Sequence, residues 1–372
     1  MVMLGISFAV LATAGLSTLI VSVALCFTQR WHGRFSLDDT HGVQKFHTAP
    51  TPRIGGLALL AGLLAAWAVA PAPLAQLLGP MLLASSTAFG AGFIEDLTKH
   101  VSVRDRLLAT LASGLIAFLL TGVTLTHVAV WGLDTLLTWT PAAVLFTAFA
   151  VAGVANAINI IDGFHGLAGG VLLIALGAMG WIAAEVGDSA VLYLCLTLGA
   201  LMTAFLLVNF PYGKLFLGDG GAYMMGFLLG WTAVLLAVRN PGVSVWAPLL
   251  CCGYPVLETL FSMARRRARA RLTGQPDHLH LHSLVHLRLS RRKLRHWSPN
   301  LRNAAVSPLV WSYALLPATL AMLFYDDTPA LMAGFLFSAL VYACCYTRLT
   351  HFRWKFPNLH VARPVGPNSM AR

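Results

Sequence analysis

Residues 141–184 read PAAVLFTAFAVAGVANAINIIDGFHGLAGGVLLIALGAMGWIAA. Asp162 is the sole charged residue in this stretch. An apolar run of about 20 residues lies on each side of it, long enough as a helix to cross a hydrocarbon core roughly 30 Å thick. Lipid offers no water to the backbone N–H and C=O groups, so runs of this kind are helices and not open strands. Asn156, Asn159 and Asp162 stand at i, i+3 and i+6, within about a 120° sector of the first helix. Gly163 and Gly166 then mark a helix end and a place where backbones approach closely.

The pattern extends along the whole chain. Of its 372 residues, 58% are hydrophobic and 10% charged, against about 25% charged in an ordinary globular protein. These numbers exclude disorder, a collagen and a disulfide scaffold. Eleven candidate spans can be drawn: 4–27, 54–70, 80–96, 107–123, 141–161, 166–184, 189–208, 220–238, 245–263, 306–324 and 329–347. The first is too long for the core of a signal peptide and has no basic residue before it, so it reads as a retained anchor. The expected fold is all-α, a polytopic integral membrane bundle of about eleven transmembrane helices. One transmembrane domain is expected over 1–347, followed by a basic cytoplasmic tail over 348–372. The six cysteines lie in or beside apolar runs without Cys-x-x-Cys spacing, and read as small apolar fillers.

Lysine and arginine set the orientation. Twenty-four of the twenty-five fall in loops of one parity or in the tail, and Arg239 alone falls on the other side. The amino terminus is therefore expected outside and the carboxyl terminus in the cytoplasm. The net charge of +11 then needs no nucleic acid, and a basic cytoplasmic face suits membrane lipids and anionic substrates. Nothing in the sequence forms a nucleic-acid recognition fold to accompany Arg265–Arg271.

Scarce polar residues carry the information in a membrane protein. Here they gather at the cytoplasmic ends of odd-numbered spans: Glu95 and Asp96, then Asn156, Asn159 and Asp162, then Asp219, then His278, His280 and His282. Cytoplasmic loops 28–53, 97–106, 209–219 and 264–305 are thus expected to form one site. Asp96, Asp162 and Asp219 offer oxygen ligands to a hard cation such as Mg²⁺, which takes one or two carboxylates and substrate phosphate. Acids at helix ends also simply stay hydrated, and polar groups between membrane helices also hydrogen-bond each other. The glycines around Asp219 allow close backbone approach, and the helix starting there offers N–H groups to a phosphate. The alternating histidines suit phosphate better than zinc, because only Asp277 lies near them as a further ligand. Lys45, His47 and Arg53 of the first inner loop are phosphate candidates, or merely positive-inside residues. Glu258 is an acid well inside an apolar run, which points to function or to a buried polar partner.

Five ordered blocks between about 38 and 290 resemble the polyprenyl-phosphate N-acetylhexosamine-1-phosphate transferases, glycosyltransferase family 4. They are DTHGVQKFHTAPTPRIGG, FIEDLTKHVSVRDR, NAINIIDGFHGLAGG, NFPYGKLFLGDGGA, and PVLETL with DHLHLHSL. The resemblance is nearest to the undecaprenyl-phosphate N-acetylglucosamine-1-phosphate branch. It implies that a lipid phosphate attacks a UDP-N-acetylhexosamine, that sugar-1-phosphate moves to undecaprenyl phosphate, and that UMP leaves. This is the first membrane step of O-antigen or another envelope polysaccharide in a bacterial inner membrane. It implies Mg²⁺, with Mn²⁺ as an alternative, and a homodimer. Asp219 and Asp96 would be the metal ligands, and Glu95, Asp96, Asp162 and Asp219 the catalytic set. Asn209 and Phe216 would border the uridine, the histidines would hold the pyrophosphate or sugar, and Lys45, His47, Asn156 and Asn159 would complete the substrate site. The chain departs from the family pattern at Glu95, His165 and Ser283, where relatives carry aspartate, aspartate and histidine. The reaction class is therefore expected to hold, with the donor left open.

Two other readings compete. A transporter or flippase would place polar groups near the bilayer midplane, often within inverted repeats, and neither feature is present. A family member without catalysis is prompted by the three departures, and Mg²⁺-dependent UMP release separates it from an enzyme.

Overall fold

The computed structural model describes residues 2–38, 50–268 and 279–351. Helix α1 (Val2–Phe27) leads into a short amphipathic helix, α2 (Gln29–Ser36). Trp31 and Phe35 of α2 are exposed, and the guanidiniums of Arg30 and Arg34 lie over their rings. That arrangement suits a headgroup region. Strand β1 (Leu37–Asp38) then pairs antiparallel with β2 (Thr51–Pro52). Pro52 is tolerated because the two-stranded ladder leaves it an open edge.

Helix α3 (Gly55–Val69) stops where Pro71 forces Ala70 into extended backbone. Helix α4 (Ala72–Thr98) follows and ends on Lys99 at φ 60°. The Ser102 hydroxyl caps α5 (Val103–Thr121) by accepting the Asp105 N–H, and Gly122 closes that helix in the left-handed region. After the single turn α6 (Leu133–Leu137), helix α7 (Thr140–Ile161) begins with Pro141 in its first turn, where no N–H is missed. Helices α8 (Leu167–Glu185) and α9 (Ser189–Asn209) form a hairpin, and Asp188 caps α9. Helix α10 (Gly218–Arg239) is buried along nearly its whole length and packs against α3, α4, α7 and α8.

The stretch read as a single ninth span is two helices, α11 (Trp246–Cys251) and α12 (Gly253–Ala268). Pro255 explains the break: it lacks an N–H, and its ring would meet the carbonyl of residue 251 in a continuous helix. Short pieces follow: α13 (Leu281–Val285), a π-helical turn (His286–Ser290), α14 (Arg291–Lys293) and α15 (Pro299–Ala304). Helices α16 (Val306–Leu323) and α17 (Thr328–Thr350) complete the bundle.

All eleven stretches read as spans are helical. By length and composition, eight helices are long and apolar enough to cross a membrane. The other three stretches are α3, which has 15 residues, α5, with Arg104, Asp105 and Arg106 in its first turn, and the broken pair α11–α12. Large apolar side chains such as Leu16, Ile20, Leu119, Phe149 and Leu336 are exposed on the outer helices, while Trp231 and Phe227 of α10 are fully buried. This is an all-α polytopic membrane protein with α10 at its centre. Among the described residues the six cysteines are free, with Cys195, Cys251 and Cys252 buried as fillers.

Candidate functional site

The site is assembled where α4, α7 and α10 meet. Asp219 lies in the first turn of α10, where the helix dipole favours a negative charge. Asp96, in the last turn of α4, reaches across to that same helix end. One of its carboxylate oxygens accepts the Asp219 N–H and the other accepts the Gly220 N–H, both at 2.9 Å. Asp96 thus caps a helix distant in sequence and fixes Asp219 in place. This corrects part of the reading from sequence: at positions 219 and 220 the N–H groups expected to meet a phosphate already have a partner.

The local glycines serve packing. Gly218 has φ +74°, and a Cβ there would fall 2.1 Å from the Arg53 carbonyl and 2.6 Å from the Asp96 carboxylate. A Cβ at Gly92 would fall 2.5 Å from the Asp219 backbone. Small residues let these helices approach to backbone contact.

Two guanidiniums complete the cluster. Arg53, just before α3, donates from Nη2 to Asp219 Oδ1 at 2.8 Å, with Nε 3.3 Å from Asp96 and Nη1 3.6 Å from Asp38. Arg106, in α5, donates to Asp219 Oδ2. Asn159 adds a side-chain N–H to Asp219 Oδ1 at 3.1 Å. Burial alone would lower the Arg53 guanidinium, but Asp219, Asp96, Asp38 and Asp162 outweigh it and raise it above its ordinary value. Asp162 ends α7 beside this group, and burial raises its carboxyl to about 7, against the pull of Arg53. Burial, and then Arg53, lower the Lys99 ammonium. Among the described residues, Asp38, Asp96 and Asp219 act on both Arg53 and Lys99, and Asp219 also acts on Arg106.

A second cluster is built around Glu258 of α12, which is fully buried. His280 Nδ1 donates to Glu258 Oε1 at 2.9 Å, and the Leu281 N–H donates to Oε2 at 3.1 Å. Ser262 and Tyr254 add their hydroxyls to the same carboxylate. His282 Nδ1 lies 3.1 Å from the Tyr254 hydroxyl and 3.9 Å from Glu258. The two imidazoles stack with centroids 5.2 Å apart and planes within 8°. Each Nδ1 is thus held from behind, which fixes the orientation of both rings. His282 Nε2 lies beside Gly163, 3.9 Å from where a Cβ would sit. The histidine pair therefore borders the turn that follows Asp162.

Not every residue singled out in the sequence joins these clusters. Asn156 donates to Thr110 of α5 at 3.1 Å and so ties two helices together. Glu95 accepts the Val101 N–H at 2.8 Å and braces the turn between α4 and α5. Asn209 accepts the Gly166 N–H and donates to the Leu215 carbonyl, both at 2.7 Å, so it holds two loops together. The Phe216 ring lies 5.8 Å from the His165 ring. His165 also lines a cleft of about 650 Å³ whose walls include Val23, Phe27, Thr51, Tyr212 and Lys214. Lys45, His47 and His278 lie outside the described residues. Among the described residues no group of three or more histidine, cysteine or acidic side chains is arranged to hold a metal, which leaves no closed zinc site.

Arg106 was not read from the sequence, and Arg53 only as a phosphate candidate. With twenty-four of twenty-five basic residues assigned to one face, nothing separates Arg106 from its neighbours. Arg53 carries more signal, since it stands between two prolines and a glycine pair in PTPRIGG.

The model of glycosyl transferase family 4 matches residues 78–237. A Bacillus subtilis (strain 168) protein named probable undecaprenyl-phosphate N-acetylglucosaminyl 1-phosphate transferase is 27% identical over 240 residues, covering 64% of this chain and 66% of that protein. A decaprenyl-phosphate N-acetylglucosaminephosphotransferase of Mycobacterium leprae (strain TN) is 30% identical over 277 residues, covering 63% of this chain and 66% of its own length. An undecaprenyl-phosphate alpha-N-acetylglucosaminyl 1-phosphate transferase of Escherichia coli (strain K12) is 24% identical over 276 residues, covering 72% and 74%. The chain thus spans just under two thirds of the first two relatives. Asp96, Asn159, Asp162 and Asp219 all fall inside the matched stretch, where α4, α7 and α10 bring them to one point: over residues 78–237 the chain matches glycosyl transferase family 4.

Proposed function

We propose that this protein transfers N-acetylhexosamine-1-phosphate from a UDP-sugar to a polyprenyl phosphate, undecaprenyl phosphate in a bacterial inner membrane, and releases UMP. The names of its relatives support the lipid acceptor and the sugar-phosphate transfer. The observation that carries the reading is the Arg53–Asp219–Arg106 cluster at the end of three apolar helices. A lipid-borne phosphate reaches such a place without its tail leaving the bilayer. The lysine and arginine distribution supports a cytoplasmic location for this face, where UDP-sugars are, with the amino terminus outside. The finer reading, entry into O-antigen or a similar envelope polymer, rests on the sequence resemblance.

The chemistry joins two polyanions. An oxygen of the lipid phosphate bonds to the β-phosphorus of the UDP-sugar, the bond from that phosphorus to the bridging oxygen breaks, and UMP departs with that oxygen. A phosphate monoester loses its second proton near pH 6, so its oxygen needs little help from a base at neutral pH. It needs compensation of charge. Arg53 and Arg106 provide positive charge at Asp219, and the histidine pair provides oriented imidazole edges beside the turn after Asp162. Asp96 keeps Asp219 in position, and Glu258 keeps both imidazoles oriented.

The donor set fits Mg²⁺. Asp219 and Asp162 would be its oxygen ligands, with Asp96 behind them holding Asp219 in place. Mg²⁺ takes few protein carboxylates and completes its shell with water and phosphate. Bound there, the ion would supply charge neutralisation for the phosphates, and Mn²⁺ is the alternative.

The test uses purified protein in detergent with undecaprenyl phosphate, Mg²⁺ and a panel of UDP-N-acetylhexosamines. UMP release is expected with one donor, and Asp219→Asn is expected to lower it at least about 10²-fold, as loss of a main electrostatic group does. Folded protein that releases no UMP with any donor, or an unimpaired Asp219→Asn variant, contradicts the proposal.

A further inference from the structure

Both oxygens of Asp219 are occupied by side chains of this protein. Oδ1 takes Arg53 at 2.8 Å and Asn159 at 3.1 Å, and Oδ2 takes Arg106. A cation cannot bond to these oxygens while two guanidiniums hold them. Arg53 has other carboxylates to turn to, since Asp38 and Asp96 lie within 3.6 Å and 3.3 Å of it. Arg106 has no such alternative at salt-bridge distance among the described residues, and it belongs to α5, a different helix from the one it grips.

We infer that Arg53 and Arg106 are exchangeable counter-ions: they hold Asp219 while the site lacks metal, and they release it to the divalent cation. This rests on the reading of Asp219 as a metal ligand. Two consequences follow from charge alone. Without metal, the guanidiniums keep a mostly buried carboxylate from standing unpaired, which would be costly. With metal, the freed guanidiniums lie beside the ion, where two polyanionic substrates must be neutralised, and an arginine fork matches phosphate geometry. Arg106 and Arg53 are then positioning residues that couple metal loading to phosphate binding.

Competition makes the inference testable without turnover. Mn²⁺ is titrated into metal-free, full-length protein in detergent, and free Mn²⁺ is read by its electron paramagnetic resonance signal. Arg106→Gln removes the competing cation and is expected to bind Mn²⁺ about tenfold tighter than the unaltered protein. Its metal-free form is expected to melt lower, with Mn²⁺ restoring the midpoint. Arg106→Lys keeps the charge without the fork and is expected to fall between. Arg104→Gln is the control, because Arg104 is exposed on the same helix turn and has the same effect on net charge. Its Mn²⁺ affinity is expected to stay within about twofold.

Asp219→Asn separates the inference from the reading beneath it. If Asp219→Asn loses Mn²⁺ while Arg106→Gln binds it no tighter than the unaltered protein, the exchange is overturned and the metal reading stands. If Asp219→Asn binds Mn²⁺ normally, both are overturned. Equal tightening by Arg104→Gln and Arg106→Gln also overturns the exchange, since the effect would then be one of general field. Should Arg106→Gln fail to fold, the lysine variant set against the Arg104 control carries the same comparison.

Discussion

Asn156 and Asn159 have the same side chain, stand three residues apart and share a helix sector, yet they do different things. Asn156 binds Thr110 of α5, and Asn159 binds Asp219 of α10. The spacing marked both, but the neighbouring helices decide between them, and one sequence does not state which helices those are. Truncating them should therefore separate stability from activity. Asn156→Ala is expected to lower stability by about 1 kcal/mol, the size of an interhelical hydrogen bond in a membrane, with kcat nearly unchanged. Asn159→Ala is expected to lower kcat with little change in melting. A thermal scan and a UMP assay on the two variants check this. Glu258 is a similar case: the sequence marked it as an intramembrane acid, and its partners became visible only when α12 met the histidine segment. Glu258→Gln is expected to cost about 10–100-fold in kcat/KM, the usual cost of removing a partner that orients a ligating imidazole. Steady-state kinetics on a variant of unchanged melting temperature test it, and full activity would mean that the histidine pair is oriented by something else.

At the scale of the element, apolar runs located every long helix, because burial of backbone polarity leaves lipid-facing chain no other option. They did not reveal the break between α11 and α12, which Pro255 imposes; a short helix is expected in the 264–305 loop, and the structure has several short pieces between Leu281 and Ala304. Those pieces carry two histidines with a measurable signature. Burial lowers His282 and His286 to about 4, whereas an unfolded histidine titrates near 6.5. Between those values the unfolded chain binds protons that the folded one does not, so each histidine removes stability as pH falls from about 6.5 to about 4. Asp162 acts in the opposite sense, because a carboxyl raised to about 7 is protonated in the folded state over that same window. The total pH profile is thus a sum of opposing parts, and single variants isolate them. His286→Asn is expected to gain stability relative to the unaltered protein on going from pH 7.5 to pH 5, as read by melting midpoints in detergent. No change in that difference between the two pH values would contradict the buried neutral state of His286.

For the whole molecule, the sequence placed segments more than a hundred residues apart at one membrane face, and the bundle brings Asp96, Asn159 and Asp219 into direct contact there. Arg106 was beyond reach of that reading, because a rule that assigns nearly every basic residue to one side cannot single out one of them. The orientation itself is open to a labelling experiment. Thr135 lies exposed in the loop around α6, and Arg292 lies exposed in the basic segment before α15. A cysteine introduced at 135 is expected to react with a membrane-impermeant maleimide in intact cells, and one at 292 only after lysis; the reverse pattern would invert the protein and move the site out of the cytoplasm. The central claim concerns which bond is made and which is broken. It is tested most directly with a UDP-N-acetylhexosamine carrying ³²P at the β-phosphate, offered with undecaprenyl phosphate to the purified protein. The account predicts that the β-label enters the lipid fraction in step with UMP release. Release of labelled UDP with sugar transferred to the lipid, or lipid without label despite folded protein, would contradict it.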